Sequence, residues 1–227
     1  MERVLLVVAM SSEAEALASV AEAGPARSVP GAEVREGRVG AMRVVIAEAA
    51  VGPIAAAVAT GAVLAHDRDF DAVISAGIAG AFVSSGLRVG DAVVGDVISQ
   101  ADLGKETDAG FETAATLGWR DGRITCDPTL VAAAAASTGA MVGELVTVTR
   151  LSTQPERIYE LHTNFPGALG EAMEGAGVAL AARSHGLEPL ELRTISNLVG
   201  SPEEHPWDPE SALDALAQAL RGLGAAR

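Results

Sequence analysis

The run Arg3-Val4-Leu5-Leu6-Val7-Val8-Ala9-Met10-Ser11-Ser12-Glu13 decides the fold class. From Arg3 to Met10 it reads as one continuous apolar stretch, the pattern of a strand covered on both faces. Ser11-Ser12 then offers a helix N-cap, and Glu13 and Glu15 fall in the first turn, where the helix dipole favours acids. The helix is expected to run to about Ala23 and to stop at Gly24-Pro25. A doubly covered strand feeding directly into a helix is the opening unit of an α/β fold.

The same alternation continues outward. Residues 33–50 read as two strands around Gly37–Gly40, and Gly52-Pro53 opens an Ala-rich helix to about Ala65. Strands are expected at residues 72–76, 89–99, 141–149 and 189–196, and helices at 128–138, 155–161, 173–184 and 209–223. Residues 101–125 are polar and irregular, which suggests a long functional loop. The expected fold is a single domain, residues 1–227, built as a three-layer α/β/α sandwich with a mixed, mainly parallel central sheet.

Composition narrows the partners. Thirty acidic against sixteen basic residues give a formal charge of −14, which argues against nucleic acid and anionic membranes. Cys126 is the only cysteine, so neither an internal disulfide nor a cysteine-built metal site is expected, and a reducing cytoplasm is the natural compartment. The apolar N-terminal run is too short for a signal segment, with Glu13 and Glu15 close behind it. The longest uncharged stretch, Ala49 to Ala65, is Ala-rich and broken by Gly52-Pro53, so a buried helix is expected rather than a membrane span. His66, His162, His185 and His205 have no metal-ligand spacing and are expected to be structural or on the surface.

Chemistry in open α/β folds gathers beyond the C-terminal ends of strands, and four such ends carry suggestive residues. Glu13, one turn past the first strand, can act as a general base or simply complement the dipole. Ser75-Ala76-Gly77-Ile78-Ala79-Gly80 lets backbone approach a ligand, or is a plain tight turn; it matches neither a dinucleotide nor a Walker pattern. In Ala172-Met173-Glu174-Gly175, a Glu at a helix start can accept from two vicinal hydroxyls with Met packed on an apolar sugar face; taken alone, a capping acid and a core Met are the more ordinary reading. Arg193-Thr194-Ile195-Ser196-Asn197 ends a strand on an amide that offers both donor and acceptor, or on a turn Asn.

Each motif alone is weak, but their order is specific. Ala9-Met10-x-x-Glu13, Ile78-Ala79-Gly80, Leu87-Arg88-Val89-Gly90-Asp91, Asn164-Phe165-Pro166, Met173-Glu174 and Ile195-Ser196-Asn197 together resemble the nucleoside phosphorylase–hydrolase superfamily, in its bacterial nucleosidase branch. The resemblance covers nearly the whole chain. It implies that Glu13 positions the attacking water, that Ile78, Ala79 and Gly80 lie beside sugar and base, and that Met173 and Glu174 hold the ribose. It implies a small purine nucleoside as partner, no metal or organic cofactor, and a homodimer or higher homo-oligomer. Leu151, between Val148 and Ser152, is the expected base-stacking residue.

Two departures sharpen the resemblance. Phosphorylases of the superfamily carry a Gly-Asp-Pro-x-Arg motif near the N-terminus to hold phosphate; here the first strand ends in an acid, which favours hydrolysis. Methylthioadenosine nucleosidases carry an Asp where Asn197 stands. An Asn amide can donate to a 6-oxo group, and a mismatched polar contact in a dry pocket costs about 1–3 kcal/mol, so hypoxanthine is the expected leaving base. Asp102-Leu103-Gly104, Gly110-Phe111 and Trp207-Asp208 also look like the futalosine hydrolase subfamily. Substrates of that subfamily carry a distal carboxylate, for which Lys105, Arg150 and Arg157 are candidates, exposed salt-bridging being the alternative for each. The rival readings are a methylthioadenosine/adenosylhomocysteine nucleosidase and a non-catalytic nucleoside-binding protein on the same fold.

Overall fold

The computed structural model describes residues 1–200 and 203–225. Strand β1 (Arg3–Val8) is buried along almost its whole length and leads into helix α1 (Ser11–Val20). The helix is capped at Met10, not at Ser11 or Ser12, because Glu13 at the third helical position reaches back to the Met10 backbone N–H. Then come β2 (Arg27–Val29), the hairpin strands β3 (Ala32–Val39) and β4 (Met42–Glu48), and helix α2 (Pro53–His66). The chain continues with β5 (Ala72–Ala81), β6 (Ala92–Gln100), β7 (Gly104–Thr107), β8 (Gly110–Thr113), β9 (Arg123–Thr125) and α3 (Pro128–Thr138). The last elements are β10 (Met141–Thr147), α4 (Pro155–Asn164), β11 (Ala168–Ala172), α5 (Gly175–Ser184), β12 (Pro189–Leu198) and α6 (Pro209–Ala225).

The main sheet runs β11-β10-β6-β12-β5-β1-β4-β3-β2, with β9 paired to β6. It is mixed: β1 is parallel to both β4 and β5, and β12 is parallel to β5 but antiparallel to β6. The alternating side chains of β1 show the layering. Val4, Leu6 and Val8 pack with Leu17 of α1, Val131 of α3 and Leu216 of α6, while Leu5 and Val7 pack with Val63 of α2 and Val178 of α5. Gly177 is the point where α5 meets α2, since a side chain there would collide with the Pro53 carbonyl.

The structure adds to the sequence expectation in three places. Residues 101–125 are not one irregular loop; they hold the β7–β8 hairpin and β9. Strand β5 does not stop at Gly77 but continues to Ala81. Strand β11, only five residues long and interrupted by Gly170 and Glu171, does not stand out by pattern; it pairs with β10 on one side and antiparallel with β5 on the other. Strands β5, β12, β6, β10 and β11 therefore close into a ring at one end of the sandwich. Gly170 permits the closure, because a side chain there would strike the Gly80 carbonyl. A register shift between Ile195 and Asn197 inserts Ser196 as an extra residue in β12 and brings Asn197 opposite Gly80. Bulges of this kind re-aim side chains beside functional sites.

Candidate active site

The ends of β1, β5, β11 and β12 surround a cavity of about 450 Å³. The eight candidate catalytic and nucleoside-binding residues (Glu13, Ile78, Ala79, Gly80, Leu151, Met173, Glu174 and Asn197) line it. Its wall is mostly apolar, with a few convergent polar groups, the general form of a small-molecule site.

Glu13 is 1% exposed. One carboxylate oxygen accepts from the Ala9 and Met10 N–H groups, each at 3.0 Å, and the other from the Ile78 N–H at 2.9 Å. Burial raises its pKa, against the opposing pull of the Arg193 charge and the three N–H donors. Gly77 makes room for this arrangement: its φ is +155°, and a side chain there would strike the Glu13 carboxylate and the Arg193 guanidinium.

Arg193 is the hub of the polar floor and is 1% exposed. Its Nε donates to Glu191 at 2.9 Å, its Nη2 to the Ser75 hydroxyl at 2.8 Å, and Nη2 lies 3.2 Å from Glu174 Oε2. Burial alone would lower the arginine pKa, but the nearby Glu191, Glu174 and Glu13 charges outweigh it and the net shift is upward. Glu191, beneath it, has its pKa raised by burial. Glu174 is held from the other side by the Gly52 N–H at 3.1 Å. With one bond on each oxygen, its remaining lone pairs can accept from a diol. Met173 packs beside it against the apolar cluster that contains Phe82 and Phe165.

At the opposite wall Asn197 Nδ2 donates to the Leu198 carbonyl at 2.9 Å and Oδ1 accepts from the Ser196 hydroxyl at 3.0 Å. One Nδ2 hydrogen remains for a ligand. Leu151 stands at the mouth, 67% exposed. Of the candidate cations, Arg157 is paired to Asp102 and Glu160, Arg150 lines an adjoining depression that shares Leu151 and Thr153 with the cavity, and Lys105 lies in β7, away from both.

Several residues in or beneath the cavity escaped the sequence reading. Glu191 and Arg193 were legible in principle, because two charges two apart in an otherwise buried strand must compensate each other. Glu171 was hidden with its strand. His205 lines the cavity together with Trp207, unlike the other three histidines. Among the described residues no helix is long and apolar enough to cross a membrane, and no three His, Cys, Asp or Glu side chains gather as metal ligands.

Comparison with known proteins places this geometry. A futalosine hydrolase of Streptomyces coelicolor is 41% identical over 96% of this chain and 94% of its own. One from Acidothermus cellulolyticus is 36% identical over 98% of this chain and 90% of its own. The crystal structure of the 5'-methylthioadenosine/S-adenosylhomocysteine nucleosidase from Neisseria meningitidis, in complex with methylthio-immucillin-A, superposes with a TM-score of 0.82 at 25% identity, covering 98% of both chains. The sequence model of the phosphorylase superfamily matches residues 3–226, and the chain belongs to that superfamily.

Proposed function

We propose that the chain is a cytoplasmic purine nucleosidase that hydrolyses the N-glycosidic bond of futalosine, giving hypoxanthine and dehypoxanthine futalosine in menaquinone biosynthesis. The likeness to two futalosine hydrolases supports the substrate. The observation that carries the hydrolytic reading is Glu13: a buried carboxylate gripped by three backbone N–H groups stands at the end of β1. An anion there repels phosphate and suits a base that deprotonates water.

In this reading Glu174 accepts from the ribose hydroxyls and Met173 lies under the sugar. Arg193 holds Glu174 in place. As the glycosidic bond lengthens, the sugar gains oxocarbenium character and the purine gains electrons. Asn197 stabilises the departing base by hydrogen bonding. Water attacks the anomeric carbon while Glu13 takes its proton. Leu151 covers the base at the mouth.

A homodimer completes the proposal. Val51 lines the cavity and is exposed, as are Ile54 (80%) and Val58 one turn apart on α2. A second copy seated on this apolar strip would cover it and the adjoining cavity mouth. The functional test is a panel of futalosine, inosine and methylthioadenosine. The proposal expects the highest kcat/KM with futalosine. Faster adenine release from methylthioadenosine would instead identify a methylthioadenosine-type nucleosidase, and cleavage of none of the three would favour a binding protein.

A further inference from the structure

Charge is unevenly placed in the cavity. Glu13, Glu171 and Glu174 line it and are all buried. Arg193, on the same floor, is already paired with Glu174 and Glu191. A negatively charged ligand group has no favourable place there, because little water screens it from the acids. Among the described lining residues only His205 can carry a positive charge.

His205 is half-buried and shares the wall with Trp207 and Leu151, both exposed at the mouth. Its ring rests against Gly200, where a Cβ would lie 2.6 Å from His205 Cδ2 and push the imidazole away. No hydrogen bond or ion pair to another described residue engages the imidazole. The acids next to it in sequence are placed elsewhere. Asp208 accepts from the Ser211 N–H at 3.1 Å and from its hydroxyl at 2.7 Å, in the first turn of α6. Glu203 and Glu204 are exposed and do not line the cavity. Trp207 is the one large aromatic side chain on the described wall, in a chain only 3% aromatic. A flat apolar surface therefore stands beside an unengaged imidazole, at the mouth and clear of the buried acids.

Resting on the purine nucleosidase reading, in which sugar and base occupy the floor, we propose that His205 and Trp207 form the subsite for the far end of the substrate, and that this end is an aromatic carboxylate. Its ring packs on the Trp207 indole and its carboxylate accepts from the His205 imidazole. The assignment passes over Lys105, Arg150 and Arg157, none of which lines the cavity. A charge-assisted bond at the mouth favours the acid over a neutral analogue of the same shape. His205 thus determines specificity and touches no reacting atom.

The test uses the whole protein with futalosine, its methyl ester and inosine. The ester removes only the charge, and inosine removes the far end. In wild type the KM for futalosine should be lower than that for the ester by about fivefold or more. His205→Gln should abolish that difference by raising the KM for futalosine, with kcat and the KM values for ester and inosine little changed. His205→Arg, which returns a cation, should restore it. An equal effect of His205→Gln on futalosine and its ester, or no effect on either, overturns the proposal. Should the variants not fold, equal KM values for futalosine and its ester in wild type overturn it. Binding needs no turnover, so calorimetric titration with acid and ester in a Glu13→Gln background separates the two readings. A protein that leaves futalosine uncleaved but shows a His205-dependent preference for acid over ester loses only the substrate assignment. One that cleaves acid and ester equally well loses only this inference.

Discussion

Replacing Arg193 by Met should destabilise the protein severely and do so in a pH-dependent way. The guanidinium neutralises Glu191 at 2.9 Å and Glu174 at 3.2 Å and acts on Glu13 through space, all in a floor closed to water. Removing one partner of a buried ion pair costs about 3–5 kcal/mol, because the remaining charge is stranded. For a chain of this length each kcal/mol lowers Tm by about 2–4 °C, so a fall of roughly 6–20 °C is expected. The stranded carboxyls can relieve the strain only by taking up protons. Their folded pKa values, already raised for Glu13 and Glu191, then rise further above the unfolded values. A raised folded pKa gives stability that is full below the unfolded pKa and is lost as pH rises through the folded one. The deficit of Arg193→Met should therefore widen from acidic to mildly alkaline pH. Scanning calorimetry of wild type and variant across that range checks both effects. A Tm within 2 °C of wild type, or a deficit independent of pH, would refute the claim that Arg193 compensates this cluster.

Three other outcomes follow from the geometry. Glu13 must be ionised to act as a base and its pKa is raised, so the acid limb of kcat/KM should lie above the ordinary glutamate value of 4.5, and a profile flat to below that pH would dismiss Glu13 as the base. Gly177→Ala should push α5 off α2 at the Pro53 carbonyl and cost about 1–3 kcal/mol, read as a lower denaturation midpoint; no change would mean the helices part freely. Ile54→Asp should shift the protein from dimer to monomer in sedimentation velocity, and an unaltered dimer would place the interface elsewhere.

The sequence was most legible where one face of an element is uniform. Strand β1, α2 and α6 were readable from apolar runs and periodicity, and the first strand–helix junction put Glu13 at its post. Ends and short pieces were not. Strand β11 is five residues containing Gly170 and Glu171, and its two pairings exist only because distant β5 and β10 flank it. The cap of α1 went to Met10 because tertiary burial of Glu13 outbid the local preference of the two serines. Within the site, Met173, Glu174 and Asn197 were found as the ends of recognisable motifs. Arg193 sat inside one of those motifs, yet its role depends on Ser75, Glu174 and Glu191, which meet only in three dimensions.

The central claim is that water activated by Glu13, not phosphate, cleaves futalosine in this cavity. Its most direct measurement follows wild type and Glu13→Gln on futalosine, with and without phosphate, identifying the sugar product by mass spectrometry. The account predicts equal amounts of hypoxanthine and dehypoxanthine futalosine with no phosphate present, and a rate lower by roughly 10²–10⁴-fold in Glu13→Gln. A sugar 1-phosphate product, an absolute need for phosphate, or undiminished turnover by Glu13→Gln would contradict it.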